Sequence, residues 1–164
     1  MKFILLKKFI STKDLNKIKK DIIVNFKKNK HKDNLNSGTQ TKPNLHLIHT
    51  TPHWKRFYEK LNIIMLKINQ KKIIKSWCLK INKKEKNFFH KHKENTFTSV
   101  FYLQNDNYEL GTHLKQDLLG NKHEFIVPGY ENSIVIFEGD ILHDAVFPSY
   151  KLKKPRYTIV TDYE

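Results

Sequence analysis

Cysteine and long apolar runs are scarce in this sequence. Cys78 is the one cysteine among 164 residues, which excludes an internal disulfide framework and any cysteine-rich zinc module. No stretch reaches the roughly 18 apolar residues that span a bilayer, and the apolar run that follows Met1 is too short for the core of a signal peptide. We therefore expect a cytoplasmic protein of a reducing compartment with no membrane partner.

Three further absences narrow the function classes. The sequence has no internal repeat, no Gly-rich phosphate-binding loop and no serine nucleophile elbow. Repeat scaffolds, P-loop enzymes and serine hydrolases built on that elbow are therefore not indicated.

Negative charge is also in short supply. Lysine and arginine number 31 against 16 acidic residues, which gives a formal net charge of +15 and a pI of about 9.8. Such a balance is compatible with nucleic acid, anionic surfaces or acidic small molecules as partners. A lysine-rich chain is equally typical of an AT-rich genome, and lysine pairs such as Lys27-Lys28 and Lys153-Lys154 are scattered as on a solvated surface. We keep a basic nucleic-acid-binding protein as one alternative function.

Length and patterning predict one domain over residues 1–164. A chain of this length buries roughly two thirds of its unfolded surface, which is enough for folding without a disulfide or a metal. We interpret residues 1–72 as mostly helical support, because capping residues begin one helix at Ser11–Asp14 and another at Thr51-Pro52. The polar stretch Lys27–Pro43 between them is predicted to be a loop.

Residues 73–164 carry the strand pattern of a β-barrel core. Apolar residues alternate from Ile73 onward, and turn signals separate several short β-rich segments. Leu114–Lys122, flanked by His113 and His123, is predicted to be a loop over the barrel mouth. The fold class is therefore mainly β with N-terminal helices, a sandwich or barrel backed by two helices. The further predicted strands are Thr98–Leu103, Glu124–Val127, Ser133–Phe137 and Tyr157–Thr161.

Two histidines, His90 and His92, come just before a predicted strand. In an extended segment this spacing puts both imidazoles on one face, with Cα atoms about 6.8 Å apart, so that both can bind one metal ion. His143 follows a later strand and its turn, and it offers a third imidazole. The pattern favours a metal site made of these three residues.

Arginine is rare, and one of its two occurrences opens the last predicted strand. Arg156 stands in a chain that uses lysine almost everywhere else for positive charge. A guanidinium offers a planar fork that grips a carboxylate with two hydrogen bonds, which a lysine ammonium cannot do. This position is therefore a candidate anchor for an acidic ligand.

Taken in order, the motifs resemble those of the 2-oxoglutarate- and Fe(II)-dependent dioxygenase superfamily. The resemblance is closest to a small prolyl-hydroxylase-like branch of marine bacteria and their phages, and it covers nearly the whole chain. The segments that carry it are Gly38–Leu45, Ser76–Asn82, His90–His92, Thr98–Leu103, Ile126–Gly129, Ser133–Phe137, His143–Pro148 and Arg156–Val160.

The resemblance implies a double-stranded β-helix, which is a jelly-roll or cupin-like barrel, with Fe(II) and 2-oxoglutarate as cofactors. It implies an oxygenase that uses O₂ to hydroxylate an unknown substrate while 2-oxoglutarate is decarboxylated to succinate. By the same resemblance, Arg156 binds the distal carboxylate of 2-oxoglutarate, with Thr158 and Tyr102 beside it. Iron also suits the histidines chemically, since non-haem iron that activates O₂ is held on one face and keeps open positions.

The sequence departs from the superfamily at one ligand position. Most members have His–x–Asp, whereas this chain has His92 at the second place. Three neutral imidazoles leave an iron site one charge more positive, which a dianionic cosubstrate partly offsets. We favour ligation by all three histidines. Two alternatives stay open: His90 and His143 alone bind the metal with His92 behind them, or Glu94 supplies the missing carboxylate.

Other functions and other histidines complete the set of hypotheses. A metal-binding cupin-like protein without catalysis is the second alternative to the oxygenase, beside the nucleic-acid-binding protein. His46, His49 and His53 are expected to have surface or capping roles. His113 and His123 are candidates for a substrate contact.

Overall fold

Two antiparallel β-sheets and a layer of helices make up the architecture. The computed structural model describes residues 3–26, 30–31, 39–83, 88–118 and 120–164. Most of the predicted loop Lys27–Pro43 lies outside these residues, although two short strands occur at its described positions. Across the described ranges, no helix is long and apolar enough to cross a membrane.

The helices begin where the capping residues predict. Helix α1 (Thr12–Asn25) starts after Ser11, whose hydroxyl accepts a hydrogen bond from the backbone N–H of Asp14 at 3.1 Å. Helix α3 (Pro52–Lys67) has proline in its first turn and buries an aromatic stripe against the core. Both predicted helices are thereby confirmed. The sequence interpretation missed a third, one-turn helix, α2 (Leu45–Ile48).

The larger sheet contains seven strands within the described residues. Its last strand in sequence lies near the centre and pairs with a neighbour on each side, so every residue of it is buried. Three of its strands come from the part of the chain before residue 73. With strands numbered along the chain, the spatial order is β1 (Phe3–Leu6), β8 (Ser133–Glu138), β5 (Phe97–Gln104), β10 (Arg156–Tyr163), β4 (Ile73–Ile81), β3 (Thr39–Thr41) and β2 (Lys30–His31).

The smaller sheet corrects one prediction. Where a loop was expected over Leu114–Lys122, the chain forms a hairpin of β6 (Thr112–Leu118) and β7 (Asn121–Val127). Strand β6 also pairs with β9 (Leu142–Ala145), so it is the central strand of the three described in this sheet. Its middle is polar because one face is turned to solvent, and that polarity hid the strand from the sequence pattern.

Alternate residues of the central strands serve two different cores. Phe101 and Leu103 of β5 pack against the helices, whereas Val100 and Tyr102 of the same strand face the smaller sheet. The larger sheet therefore has a helical layer on one side. On its other side it encloses, with the smaller sheet, the space in which the candidate site lies.

Gly111, which immediately precedes β6, is required by a close backbone approach. A Cβ atom at this position would overlap the carbonyl oxygen of Val127, which belongs to the paired strand β7 and cannot swing aside. We expect Gly111→Ala to lower the free energy of unfolding by about 3 kcal/mol, at the upper end of overpacking costs. Chemical denaturation followed by circular dichroism measures this.

Gly120 supplies the control for that prediction. It has a φ of +82°, but a Cβ added there would meet no atom within 4 Å, and asparagine tolerates such a φ. Gly120→Asn should change the unfolding free energy by less than about 1 kcal/mol. Equal losses in the two variants would contradict the steric explanation.

Candidate metal centre

A pair of backbone hydrogen bonds brings the distal histidine to the His–x–His segment. The N–H of His90 donates to the carbonyl of His143 at 3.0 Å, and the N–H of His143 donates to the carbonyl of His90 at 2.9 Å. This antiparallel bridge adds the His90 segment to the edge of β9. The N–H of His92 donates to the carbonyl of Gly139 at 2.6 Å. Gly139 lies in the turn between β8 and β9, so this bond holds His92 close to the strand that carries His143.

The three imidazoles converge on one point. Their rings lie 4.4 Å (His90 to His143), 4.9 Å (His92 to His143) and 5.2 Å (His90 to His92) apart between centroids. One ligand nitrogen from each lies within 4.8 Å of the other two, a spacing that suits one metal ion. The structure therefore brings together the three residues that the sequence pattern selected.

Hydrogen bonds to Nδ1 fix which ring nitrogen can bind a metal. Nδ1 of His90 lies 3.1 Å from the carbonyl oxygen of Phe88, and Nδ1 of His143 lies 2.7 Å from that of Ile141. A carbonyl only accepts, so each Nδ1 carries the proton and donates it. The lone pair is therefore on Nε2, as in a metal-ligating imidazole.

His92 has a different partner from the other two histidines. Its Nδ1 lies 2.8 Å from Oδ1 of Asp162, a residue of β10 that is 1% exposed. The hydroxyl of Thr98 lies 2.8 Å from the same Nδ1 and donates to Asp162 Oδ1 at 2.9 Å. The ammonium of Lys75 pairs with the other carboxylate oxygen at 3.2 Å.

Electrostatics keep the buried histidines neutral and the carboxylate charged. Burial lowers the pKa of His143 to about 3 and also lowers the pKa of His90. Burial by itself would raise the pKa of Asp162, but the His92 hydrogen bond and the nearby positive charges outweigh it, and the net shift is downward. At neutral pH His90 and His143 thus offer neutral imidazoles, the form that binds metals.

One cleft between the sheets contains the three candidate metal ligands and the three candidate cosubstrate-binding residues. It encloses about 620 Å³, including solvent at its open side. Apolar side chains of three strands, Trp77, Val100 and Val160 among them, form much of its wall. The selected residues that line it are His90, His92, His143, Arg156, Thr158 and Tyr102.

Arg156 is buried at the end of this cleft. Its Nη1 donates to the carbonyls of Leu110 at 2.6 Å and Val146 at 2.9 Å. Among the described residues, Nη2 and Nε make no hydrogen bond, so those donors can serve a ligand. Burial lowers the pKa of Arg156 to about 10, which leaves the guanidinium protonated at neutral pH.

Thr158 and Tyr102 stand next to each other across the β10–β5 pairing. The hydroxyl of Tyr102 shares a 2.6 Å hydrogen bond with the hydroxyl of Thr112, a further residue of the cleft lining. Burial raises the pKa of Tyr102 to about 12, so its hydroxyl stays neutral. These residues add neutral hydrogen-bonding groups beside the guanidinium.

Sequence reasoning missed two buried carboxylates in this region. Asp162 lies an even number of residues from Arg156 and Thr158 on the same strand, so all three side chains are on one face. This spacing is the signal that could have found Asp162. Asp144 lines the cleft and accepts a hydrogen bond from the N–H of Phe88 at 2.6 Å. Its burial raises its pKa.

Other candidates lie away from the metal centre. Glu94 is exposed in a turn just before β5 and does not belong to the group of side chains whose ligand atoms converge. His113 pairs with Glu124 on the β6–β7 hairpin. His53 pairs with Asp21 in the helical layer and lies 3.1 Å from the Thr51 hydroxyl at the start of α3.

Comparison with known proteins identifies the fold. No family model matches the chain, and no curated protein matches it. Among solved structures, a prolyl-4-hydroxylase from Pseudomonas putida superposes with a TM-score of 0.71 at 11% identity, over 99% of this chain and 91% of that one. The chain folds as a double-stranded β-helix.

Two further solved structures show the same likeness. A prolyl hydroxylase from Trichoplax adhaerens, in complex with a peptide of hypoxia-inducible factor, gives a TM-score of 0.73 at 13% identity. HygX from Streptomyces hygroscopicus, with nickel, 2-oxoglutarate and hygromycin B bound, gives 0.72 at 10% identity. Each likeness covers 98% of this chain and 82% of the other. The jelly-roll class predicted from the sequence is thereby confirmed.

We expect the protein to bind one divalent metal ion through the converging imidazoles. Either His90→Ala or His143→Ala removes a ligand atom. Each should weaken binding by more than the roughly 10- to 100-fold that loss of a residue behind a ligand costs. Calorimetric titration with Co(II) under anaerobic conditions measures the dissociation constant.

Two more variants complete this experiment. His123→Ala removes an exposed histidine of β7 and should leave the affinity unchanged. His92→Ala distinguishes ligation by three histidines from ligation by His90 and His143 alone, because near-normal affinity would place His92 outside the coordination sphere. Unchanged metal stoichiometry in both His90→Ala and His143→Ala would overturn the assignment of the centre.

Proposed function

We propose that this protein is an Fe(II)- and 2-oxoglutarate-dependent oxygenase that hydroxylates a second substrate. The observation that carries the proposal is the presence of three convergent imidazoles and a buried guanidinium in one cleft of a double-stranded β-helix. A metal-binding protein without catalysis needs the imidazoles but has no use for the buried positive charge. The motif order supports the small prolyl-hydroxylase-like branch as its place within the superfamily.

The donor set fits iron. His90, His92 and His143 would hold Fe(II) through Nε2, and imidazole nitrogen suits this metal. The ligand set comes from two segments joined by backbone hydrogen bonds, so its spacing does not depend on a flexible loop. Three protein donors leave coordination positions for the cosubstrate and O₂.

The other end of the cleft fits a dicarboxylate. Arg156 would grip the distal carboxylate of 2-oxoglutarate, with the hydroxyls of Thr158 and Tyr102 adding hydrogen bonds. The carbonyls of Leu110 and Val146 hold Nη1 and so fix the plane of the guanidinium. The apolar wall around this fork lowers the local dielectric constant, which strengthens the charge pair.

Together, bound iron, 2-oxoglutarate and O₂ supply the oxidation, in which R–H becomes R–OH while 2-oxoglutarate is split into succinate and CO₂. The chain's own residues position the reactants and limit water. Trp77, Val100 and Val160 line the cleft between the metal ligands and Arg156, and they keep this space largely apolar. The unknown primary substrate has to enter from the open side.

We expect the purified protein to convert 2-oxoglutarate to succinate when Fe(II) and O₂ are supplied. The reason is that dioxygenases of this type often turn over the cosubstrate slowly without their primary substrate. The measurement is succinate by NMR or mass spectrometry, with His143→Ala as the inactive control. Metal binding without succinate formation at any substrate tested would favour the non-catalytic alternative.

Arg156→Ala should weaken 2-oxoglutarate binding by roughly 100-fold or more, or about 2.8 kcal/mol at 1.4 kcal/mol per factor of ten. The loss leaves a carboxylate buried without its partner. Arg156→Lys should restore only part of the affinity, because an ammonium cannot form the two-pronged contact. Anaerobic calorimetry with the metal site filled gives the affinity.

The control for this prediction is Lys154→Ala, which removes an exposed basic residue two positions earlier. It should bind 2-oxoglutarate like the wild type, and metal affinity should be unchanged in all three variants. Wild-type affinity in Arg156→Ala would show that the cosubstrate anchor lies elsewhere.

A further inference from the structure

The three imidazoles of the candidate centre are not equivalent. His90 and His143 each donate Nδ1–H to a neutral backbone carbonyl. His92 faces the carboxylate of Asp162 and the hydroxyl of Thr98 instead. The histidine with the anionic partner is the one that stands where most of the superfamily has a ligating aspartate.

We infer that Asp162 is a positioning residue that replaces the missing ligand carboxylate from behind His92. It fixes the His92 ring with Nε2 toward the metal, and it places a negative charge one side chain further from the ion. A carboxylate behind an imidazole raises the basicity of the ligand and holds its tautomer. This inference rests on the proposed function, since it concerns the same metal centre.

The surroundings of Asp162 support a specific contact. A carboxylate that is 1% exposed is costly to bury unless its oxygens are paired. Here Oδ1 lies within hydrogen-bond distance of both His92 and Thr98, and Oδ2 forms an ion pair of 3.2 Å with Lys75, although it accepts no hydrogen bond within the described residues. Strand β10 lies between β4 and β5, which supply Lys75 and Thr98, so the sheet itself holds the carboxylate in place.

The direction of the His92 hydrogen bond follows from the same contacts. The Thr98 hydroxyl has one proton and donates it to Asp162 Oδ1. Its oxygen and the carboxylate oxygen are then both acceptors toward Nδ1 of His92. The ring proton therefore lies on Nδ1, and Nε2 is left with its lone pair for the metal.

Two substitutions of Asp162 separate the effect of its charge from the effect of its hydrogen bond. Asp162→Asn keeps the shape and an acceptor oxygen but removes the charge, and it should weaken Co(II) binding about tenfold. Asp162→Ala removes the acceptor as well, and it should weaken binding up to about 100-fold. Anaerobic Co(II) titration gives the dissociation constant, and the Co(II) visible spectrum should shift because the His92 donor changes.

A buried carboxylate elsewhere in the chain provides the matched control. Asp14 is also buried and pairs with an arginine, Arg56, in the helical layer. Asp14→Asn should lower the melting temperature, while the Co(II) dissociation constant and spectrum stay as in the wild type. A loss of metal affinity in Asp14→Asn equal to that in Asp162→Asn would assign the effect to general destabilisation.

The decisive arm is a double-mutant cycle with His92→Asp. If Asp162 acts through the imidazole, Asp162→Asn should no longer weaken Co(II) binding once His92 is replaced. In the His92→Asp background, Asp162→Asn should leave the Co(II) affinity equal to or higher than that of His92→Asp alone, because two neighbouring carboxylates repel each other. The same loss in both backgrounds would overturn the inference and leave Asp162 a structural role.

The results distinguish a failure of this inference from a failure of the proposed function. If the wild type binds metal and forms succinate but both Asp162 variants match its affinity and spectrum, the positioning role alone is wrong. If the wild type itself binds no metal, the proposed function fails and the inference fails with it.

Discussion

The site depends on one short antiparallel bridge between His90 and His143. Its two backbone hydrogen bonds join a segment that lies outside the named strands to the edge of β9. Because the bridge uses the backbone of the ligand residues themselves, the spacing of two imidazoles is set by peptide geometry. Side-chain packing then has only to orient the rings. Any change that separates this segment from β9 removes the centre even with all three histidines present.

Strand β10 orders the rest of the cleft. The side chains on one face of this strand are, in order, Arg156 with its buried guanidinium, Thr158 beside Tyr102, Val160 in the apolar wall and Asp162 behind His92. A strand that is buried along its whole length between two neighbours is difficult to shift, so these four side chains keep a fixed spacing. Residues on the opposite face of β10, such as Ile159, pack against the helices. One strand thus links the stability of the helical layer to the geometry of the site.

Local signals made much of this predictable. The capping residues at Ser11 and the proline at the start of α3 act over a few residues, and both helices appear as expected. The predicted strand Glu124–Val127 is the second half of β7, but β6 and the start of β7 were predicted as a loop, because polar residues resemble a loop until the pairing partners are known. Asp162 escaped for a related reason. Its alternation with Arg156 and Thr158 indicates the face of β10 on which it lies, but no local pattern encodes its contact with His92, which is 70 residues away.

The balance of charge supports the proposed ligation of the metal by a third imidazole, that of His92. Around the cleft, positive and negative groups occur together: the buried Asp162 carboxylate pairs with the half-exposed Lys75, and the Asp144 carboxylate favours the protonated form of the Arg156 guanidinium. With neutral imidazoles, the protein adds no net charge at the centre from these groups. The dipositive metal and the dianionic cosubstrate of the proposed function would then enter as a neutral pair, which lowers the cost of burying both. A ligating aspartate at position 92, with Asp162 still behind it, would leave the centre with an unbalanced negative charge. His92 and Asp162 therefore form one feature, in which the carboxylate lies on the strand behind the histidine.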